Sequence, residues 1–304
     1  MTGGGKRPGE LPDRVRTWAE ASAQYPVVDA TPIGGGITRT KWVLQLAEGD
    51  PLVLRWADPQ VWGETGREHV RREALACRLL AGSALPVPRL VASDLDGSEA
   101  GGPANLMTWL PGRVRLEGLG PAGITTLADV AVAVHREVVP VPDRPPVFAF
   151  RGAMAPEVPG WARSPGLWRQ AIDVWAAGSP ATPYGLMHRD FHFGNLLWVD
   201  DAITGLVDWA ETSWGPADLD VAHLCADFAM LHTTVEAETF RTAYVRQGGL
   251  LDPDPHAARF WMVSDILGFL PDPAHILAGM TTRPDLTPEA VRQGLEDLLA
   301  VTLG

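Results

Sequence analysis

Three side chains ending in oxygen ligands or carboxylates stand close together in the stretch MHRDFHFGNLLWVDDAITGLVDWAE, residues 187–211: Asp190, Asn195 five residues on, and Asp208. Two apolar runs of strand character, residues 196–199 and 203–207, separate Asn195 from Asp208, with a short polar turn between them. Such a set suits phosphoryl transfer. One carboxylate faces an attacking hydroxyl, while the amide and the second carboxylate hold Mg²⁺, a hard ion that prefers oxygen. Neither sulfur nor imidazole is needed. His-Arg-Asp alone would carry little weight, because an Asp in a turn commonly caps or closes the backbone. The conjunction of all three residues selects the chemistry.

The elements around them read as an α+β chain. After a Gly- and Pro-rich start and a short helical piece at residues 15–23, three runs alternate as antiparallel strands: VVDATPI (27–33), TRTKWVLQL (38–46) and LVLRW (52–56). Gly34, Gly35 and Gly36 lie between the first two. Without Cβ atoms these residues let backbone N–H groups approach phosphates, with Thr38 adding a hydroxyl; the same cluster also reads as a plain hairpin turn. Residues 64–81 predict an amphipathic helix through Val70, Ala74, Cys77, Leu79 and Leu80, stopped at Gly82. PVPRLVASD (86–94) and residues 104–108 predict two further strands, the second leading into WLPG. Helices are expected at 124–138 and 167–177, separated by a Pro-rich connection, and after Asp208 at 219–231, 236–247, 256–270 and 288–303.

HRDFHFGNLLW followed by GLVDWAETSWGPADLDVAH resembles the HxDxxxxN loop and downstream metal-binding Asp of the aminoglycoside phosphotransferase and choline kinase-like enzymes, small-molecule relatives of the protein kinases. Weaker matches extend over about residues 33–227. The resemblance implies a two-lobed, protein-kinase-like fold. Its small antiparallel-sheet N-lobe, residues 1–108, would bind nucleotide, and its larger, mainly helical C-lobe, residues 109–304, would carry catalysis and the acceptor.

By the same resemblance Asp190 is the catalytic carboxylate, and Asn195 and Asp208 bind Mg²⁺ on the phosphates of ATP or GTP. Gly35, Gly36 and Thr38 cover those phosphates. Met107, Thr108, Trp109 and Leu110 form the hinge whose backbone meets the purine, and Asp220 buttresses the catalytic loop. Read from the residues themselves, His188 and His192 orient that loop, since two histidines without a further soft ligand make a poor zinc site. The third strand of the family usually carries a Lys paired with a helix Glu; here Arg55 stands there, with Glu73 as the expected partner. Arg keeps the charge, yet its planar fork does not substitute freely for an ammonium. The short interval from Asp208 to Asp220 leaves no room for a protein-kinase activation segment, so a small-molecule acceptor is implied. Asp227 and Asp265, set among apolar helix residues, are the carboxylates expected to meet it.

The totals bound the partners. At 304 residues with 46% hydrophobic content, the chain supports a full core. A formal net charge of -12 repels nucleic acid and draws in a cationic small molecule, although an acidic surface is also an ordinary solubility device. No apolar run reaches the roughly 20 residues of a membrane span, and MTGGGKRPGELPDR lacks the apolar core of a secretory signal, so the expected compartment is the cytoplasm. Cys77 and Cys225 read as reduced core residues. The leading expectation is a kinase for a hydroxyl of a polar cationic antibiotic, an aminoglycoside or a basic peptide of the capreomycin or viomycin type, conferring resistance. Its rivals are a metabolic kinase for choline, homoserine or a sugar, and a non-catalytic nucleotide-binding regulator prompted by Arg55.

Overall fold

Side-chain alternation and turn residues generate the first sheet. In a computed structural model, which describes residues 11–33, 41–149, 155–279 and 283–304, helix α1 (Asp13–Ala23) precedes strands β1 (Val27–Ile33), β2 (Lys41–Leu46) and β3 (Leu52–Trp56). Helix α2 (Pro59–Leu79), β4 (Leu90–Asp94) and β5 (Ala104–Thr108) follow. The strands form one antiparallel sheet in the order β1-β2-β3-β5-β4, so β3 is central rather than an edge. Val15, Trp18 and Ala19 of α1 pack with Trp42, Leu44, Leu54 and Leu106 of the sheet. β4 starts four residues later than expected, at Leu90, because Pro86 and Pro88 have no N–H to give a ladder. α2 opens on Asp58, whose side chain accepts from Gln60 N at 2.9 Å, and breaks at Gly63 (φ 50°), so uninterrupted helix begins at Glu64.

These elements belong to one compact unit, Met1–Leu110 with Asp208–Glu211; the second unit is Pro111–Val207 with Thr212–Gly304. The second contains β6 (Arg113–Val114), α3 (Gly120–His135), α4 (Pro165–Ala176), β7 (Gly185–Met187), β8 (Leu196–Val199), β9 (Ala202–Leu206) and β10 (Ser213–Gly215). Its remaining helices are α5 (Ala217–Leu231), α6 (Thr234–Arg246), α7 (Pro255–Gly268) and α8 (Pro288–Leu303). β6, β8 and β9 form a small sheet, and β7 pairs with β10. Three-residue strands such as β7 and β10 are too short to show a period in sequence. Among the described residues no helix is long and apolar enough to cross a membrane. Cys77 and Cys225 are both buried and free.

α5 is the hub of this unit. It packs against α6, α7 and α8, and every residue of it except Ala217 and His223 is buried. A helix buried all round has no polar face to spend on water, so its acidic residues Asp218, Asp220 and Asp227 need protein partners. The packing is close at Gly294 of α8, where an added Cβ would lie 2.0 Å from Ala229 O. Gly294→Ala is expected to cost about 1–3 kcal/mol as overpacking. Gly268→Ala, where a Cβ meets nothing within 4 Å, should leave the urea midpoint near that of the wild type.

Candidate active site

The loop between β7 and β8 is built from buried anchors inward. Met187 pairs with Ser213 of β10, and its carbonyl accepts from Thr212 Oγ1 at 2.8 Å. Immediately afterwards Arg189 takes φ 72°, a left-handed conformation uncommon for a residue with a Cβ. Asp220, wholly buried on α5, holds this turn: its carboxylate accepts from the N–H groups of His188 and Arg189, each at 2.8 Å. The same carboxylate meets His135 Nε2 at 3.1 Å, and His135 Nδ1 lies 2.7 Å from the Tyr244 hydroxyl. Burial alone would raise the Asp220 carboxyl, but the bond and charge of His135, with His188, hold it below the usual range. His188 Nε2 donates to Val207 O at 3.0 Å, tying the loop to the far end of the β8–β9 hairpin.

Further along, Phe191 and Phe193 are fully buried, and Phe193 meets Phe228 edge-on at 4.8 Å. The N–H of Phe193 donates to Asp227 Oδ2 at 2.8 Å. His192 Nδ1 accepts from Gly194 N at 3.0 Å, and its Nε2 lies 3.1 Å from Asn195 Nδ2 and 3.5 Å from Asp190 Oδ2. Asn195 turns its amide nitrogen toward Asp190, donating to the main-chain oxygen at 2.8 Å and to Oδ2 at 3.0 Å. That orientation leaves the amide oxygen as the end suited to a cation.

Asp190 itself remains accessible. Its side chain is 39% exposed, whereas Asp220, Asp227 and Asp265 are all buried. Burial of its surroundings would by itself raise the Asp190 carboxyl, but the hydrogen bond and charge of His192, with the charges of His223 and His188, hold it well below the ordinary carboxylate range. It is therefore an ionised acceptor able to orient a hydroxyl.

Asp227 and Asp265, expected at the acceptor, have other commitments in the structure. Asp227 is spent on the Phe193 N–H, and burial raises its carboxyl. Asp265 of α7 lies 3.1 Å from His223 Nδ1 and 3.5 Å from Arg189 Nη1. His223, stacked on Phe269, stands between Asp265 and Asp190, with Nε2 3.9 Å from Asp190 Oδ1. Burial would lower its imidazole and Arg189 adds to that, but the charge and hydrogen bond of Asp265, with the charge of Asp190, hold it above the ordinary value. A folded value above the unfolded one gives stability that is full below about pH 6.5 and fades as pH rises through the raised value. The difference in urea midpoint between wild type and His223→Gln should accordingly shrink as pH rises above about 6.5. A gap that widens toward alkaline pH would contradict the Asp265–His223 pairing.

In the first unit, central position on β3 buries Arg55. Its Nε donates to Glu73 Oε2 at 2.7 Å, its Nη2 pairs with Asp208 Oδ1, and Lys41 Nζ pairs with Asp208 Oδ2. Asn105 Nδ2 also reaches Glu73 Oε2, at 3.1 Å. Burial would lower the Arg55 guanidinium, yet Asp208 and Glu73 together keep it firmly charged. At residues 107–110, the N–H of Thr108 donates to Arg89 O at 2.9 Å and that of Trp109 to Pro51 O at 3.3 Å. Those two donors are spent inside the protein. Gly35, Gly36 and Thr38 lie outside the described residues. Among the described residues no group of three or more His, Cys, Asp and Glu side chains could hold a metal by itself.

Sequence reasoning missed Lys41 and His223. His223 is recognisable only through its distance to α7, but Lys41 left a trace, since it is one of two lysines in a chain with 23 arginines.

Comparison with protein families matches residues 29–261 to the APH phosphotransferase enzyme family. Among solved structures, wild-type aminoglycoside 2'-phosphotransferase-IIIa in complex with GDP is similar at 15% identity and a TM-score of 0.62, covering 96% of this chain and 98% of that one. The GDP and kanamycin complex of APH(2'')-IIIa also gives 0.62 at 15% identity, with 94% and 97% covered. A thermostable mutant of aminoglycoside phosphotransferase APH(4)-Ia, in its apo form, gives 0.61 at 18% identity, with 95% and 99% covered. No curated protein matches. An antiparallel-sheet N-terminal region followed by a helical part with this loop defines a kinase-type enzyme of α+β fold. The chain belongs to the phosphotransferase enzyme family, as the motifs around Asp190 and Asp208 imply.

Proposed function

We propose that the protein transfers the terminal phosphoryl group of ATP or GTP to a hydroxyl of a small polar acceptor. The observation that carries this reading is Asp190: an ionised, accessible carboxylate clasped by Asn195, beside three carboxylates that are buried and already bonded. In this reading Asp190 orients the acceptor hydroxyl and takes its proton late, as the bond to phosphorus forms. Positioning and charge neutralisation supply most of the acceleration. Asn195 and Asp208 would hold Mg²⁺, which would supply positive charge against the phosphates. The neutral amide, its nitrogen engaged by Asp190, leaves its oxygen as the end that suits such an ion. Residues 1–108 serve as the nucleotide lobe and 109–304 as the catalytic and acceptor lobe, with other backbone groups of residues 107–110 meeting the purine.

The preferred acceptor is a cationic antibiotic, an aminoglycoside or basic cyclic peptide, so that phosphorylation confers resistance. Similar folds crystallised with kanamycin or hygromycin B support that choice, as does the net charge of -12. A second reading, a metabolic kinase for a neutral or singly charged alcohol, is favoured by the burial of Asp227 and Asp265, whose charges are used inside the protein. Incubation with ATP or GTP and Mg²⁺ over a panel of antibiotics and metabolic alcohols, read by mass spectrometry for an added phosphate, tests both. Phosphate on metabolites with none on antibiotics selects the second reading. No transfer to any hydroxyl favours the non-catalytic alternative.

A further inference from the structure

Two cations share one carboxylate in the first unit. Lys41 Nζ pairs with Asp208 Oδ2 and Arg55 Nη2 with Asp208 Oδ1. Lys41 on β2 is directly opposite Arg55 on β3 in the ladder, and residues paired in this way project to the same face. Their surroundings differ in a way that separates their roles.

Arg55 is fixed. Its side chain is 7% exposed and bonded at both edges, and the Glu73 it holds is 3% exposed and shared with Asn105, which also donates to Val70 O at 2.9 Å. Turning Arg55 toward a ligand would strand a buried carboxylate, a costly outcome. Lys41 is 25% exposed, and among the described residues the hydrogen-bond partner of its ammonium is Asp208. An ammonium on a four-carbon stem carries three donors that rotate freely, so it can exchange one oxygen partner for another. Composition points to the same residue: with 23 arginines elsewhere, the chain keeps a lysine here, and its other lysine, Lys6, lies outside the described residues.

We propose that Lys41, rather than Arg55, holds the nucleotide phosphates, with Arg55 as the fixed counter-charge that positions Asp208; this rests on the nucleotide-dependent transfer proposed above. The lysine expected on β3 is in effect supplied from the neighbouring strand, and Glu73 keeps its ion-pair role with an arginine. In that exchange Lys41 gives up its Asp208 Oδ2 partner for phosphate oxygens. The exchange makes and breaks no covalent bond.

Calorimetric titration with ATP and with GTP, each with Mg²⁺ and without acceptor, tests this on wild type and Lys41→Met, with thermal unfolding of both and of Arg55→Met in parallel. Lys41→Met is expected to bind triphosphate roughly ten- to a hundred-fold more weakly, the usual effect of losing a hydrogen bond to a charged group, while melting like the wild type. Arg55→Met is expected to melt earlier. Should Lys41→Met also melt early, Lys41→Gln, which keeps a donor for Asp208, replaces it: the same loss of affinity supports the assignment and an unchanged affinity overturns it. Wild-type affinity in Lys41→Met overturns the role of Lys41 and leaves nucleotide binding intact. A wild type that takes up neither nucleotide overturns both.

Discussion

Asp190→Ala should lower kcat by roughly 10²- to 10⁴-fold, the range expected when a positioned proton acceptor is removed. Nucleotide affinity should change little. The reason lies in how the loop is held: Asn195 still donates to the main-chain oxygen of residue 190, and Asp220 still fixes the N–H groups of His188 and Arg189, so the backbone survives loss of the carboxylate. Asp190→Asn should fall in the same range, because an amide keeps the shape but cannot accept the proton. Steady-state kinetics at saturating acceptor and nucleotide, with a separate binding titration, make the measurement. Turnover within about ten-fold of the wild type would remove Asp190 from the chemistry.

Asp220→Ala should be the most damaging single change to the fold, with an expected loss of about 3–5 kcal/mol of stability. Its carboxylate is fully buried and serves two backbone donors and His135. Removal leaves those donors without their acceptor, and the left-handed turn at Arg189 loses what holds it. Asp220→Asn helps little, since one face of the amide would present N–H to N–H. Asp201→Ala is the control: that side chain is 88% exposed and pairs with Arg115 at the surface, where an ion pair is worth about 0–1 kcal/mol. Urea midpoints for the three variants decide the matter. Equal losses at residues 201 and 220 would show that Asp220 does not hold the loop.

Much of the framework was legible in the sequence because it rests on local patterns. β1, β3, β5, β8 and α8 have the bounds that alternation and turn residues suggest, whereas α2 starts at Pro59, ahead of the residue 64 where the apolar periodicity begins. The loop residues were legible for a different reason, since motif spacing places Asp190 and Asn195 on a single turn. What was hidden depends on contacts across long stretches of chain. Asp227 and Asp265 look like available carboxylates until Phe193, 34 residues from Asp227, and His223, 42 residues from Asp265, are seen to occupy them. Arg55, expected at the phosphates, is buried and bonded to Glu73, 18 residues on, which its place in an alternating strand does not announce. Lys41 sits in an ordinary alternating strand, and only its cross-strand register with Arg55 gives it meaning.

The first unit is not one continuous stretch of chain, for it takes back Asp208–Glu211 after the polypeptide has left it at Leu110. On the ribosome, the sheet bearing Lys41 and Arg55 is therefore complete well before their shared carboxylate exists. At about 5–20 residues per second, the nearly one hundred intervening residues take roughly 5–20 seconds to emerge. For that interval Glu73 is the acidic partner already made for Arg55, and the carboxylate that Lys41 and Arg55 share comes only with residue 208.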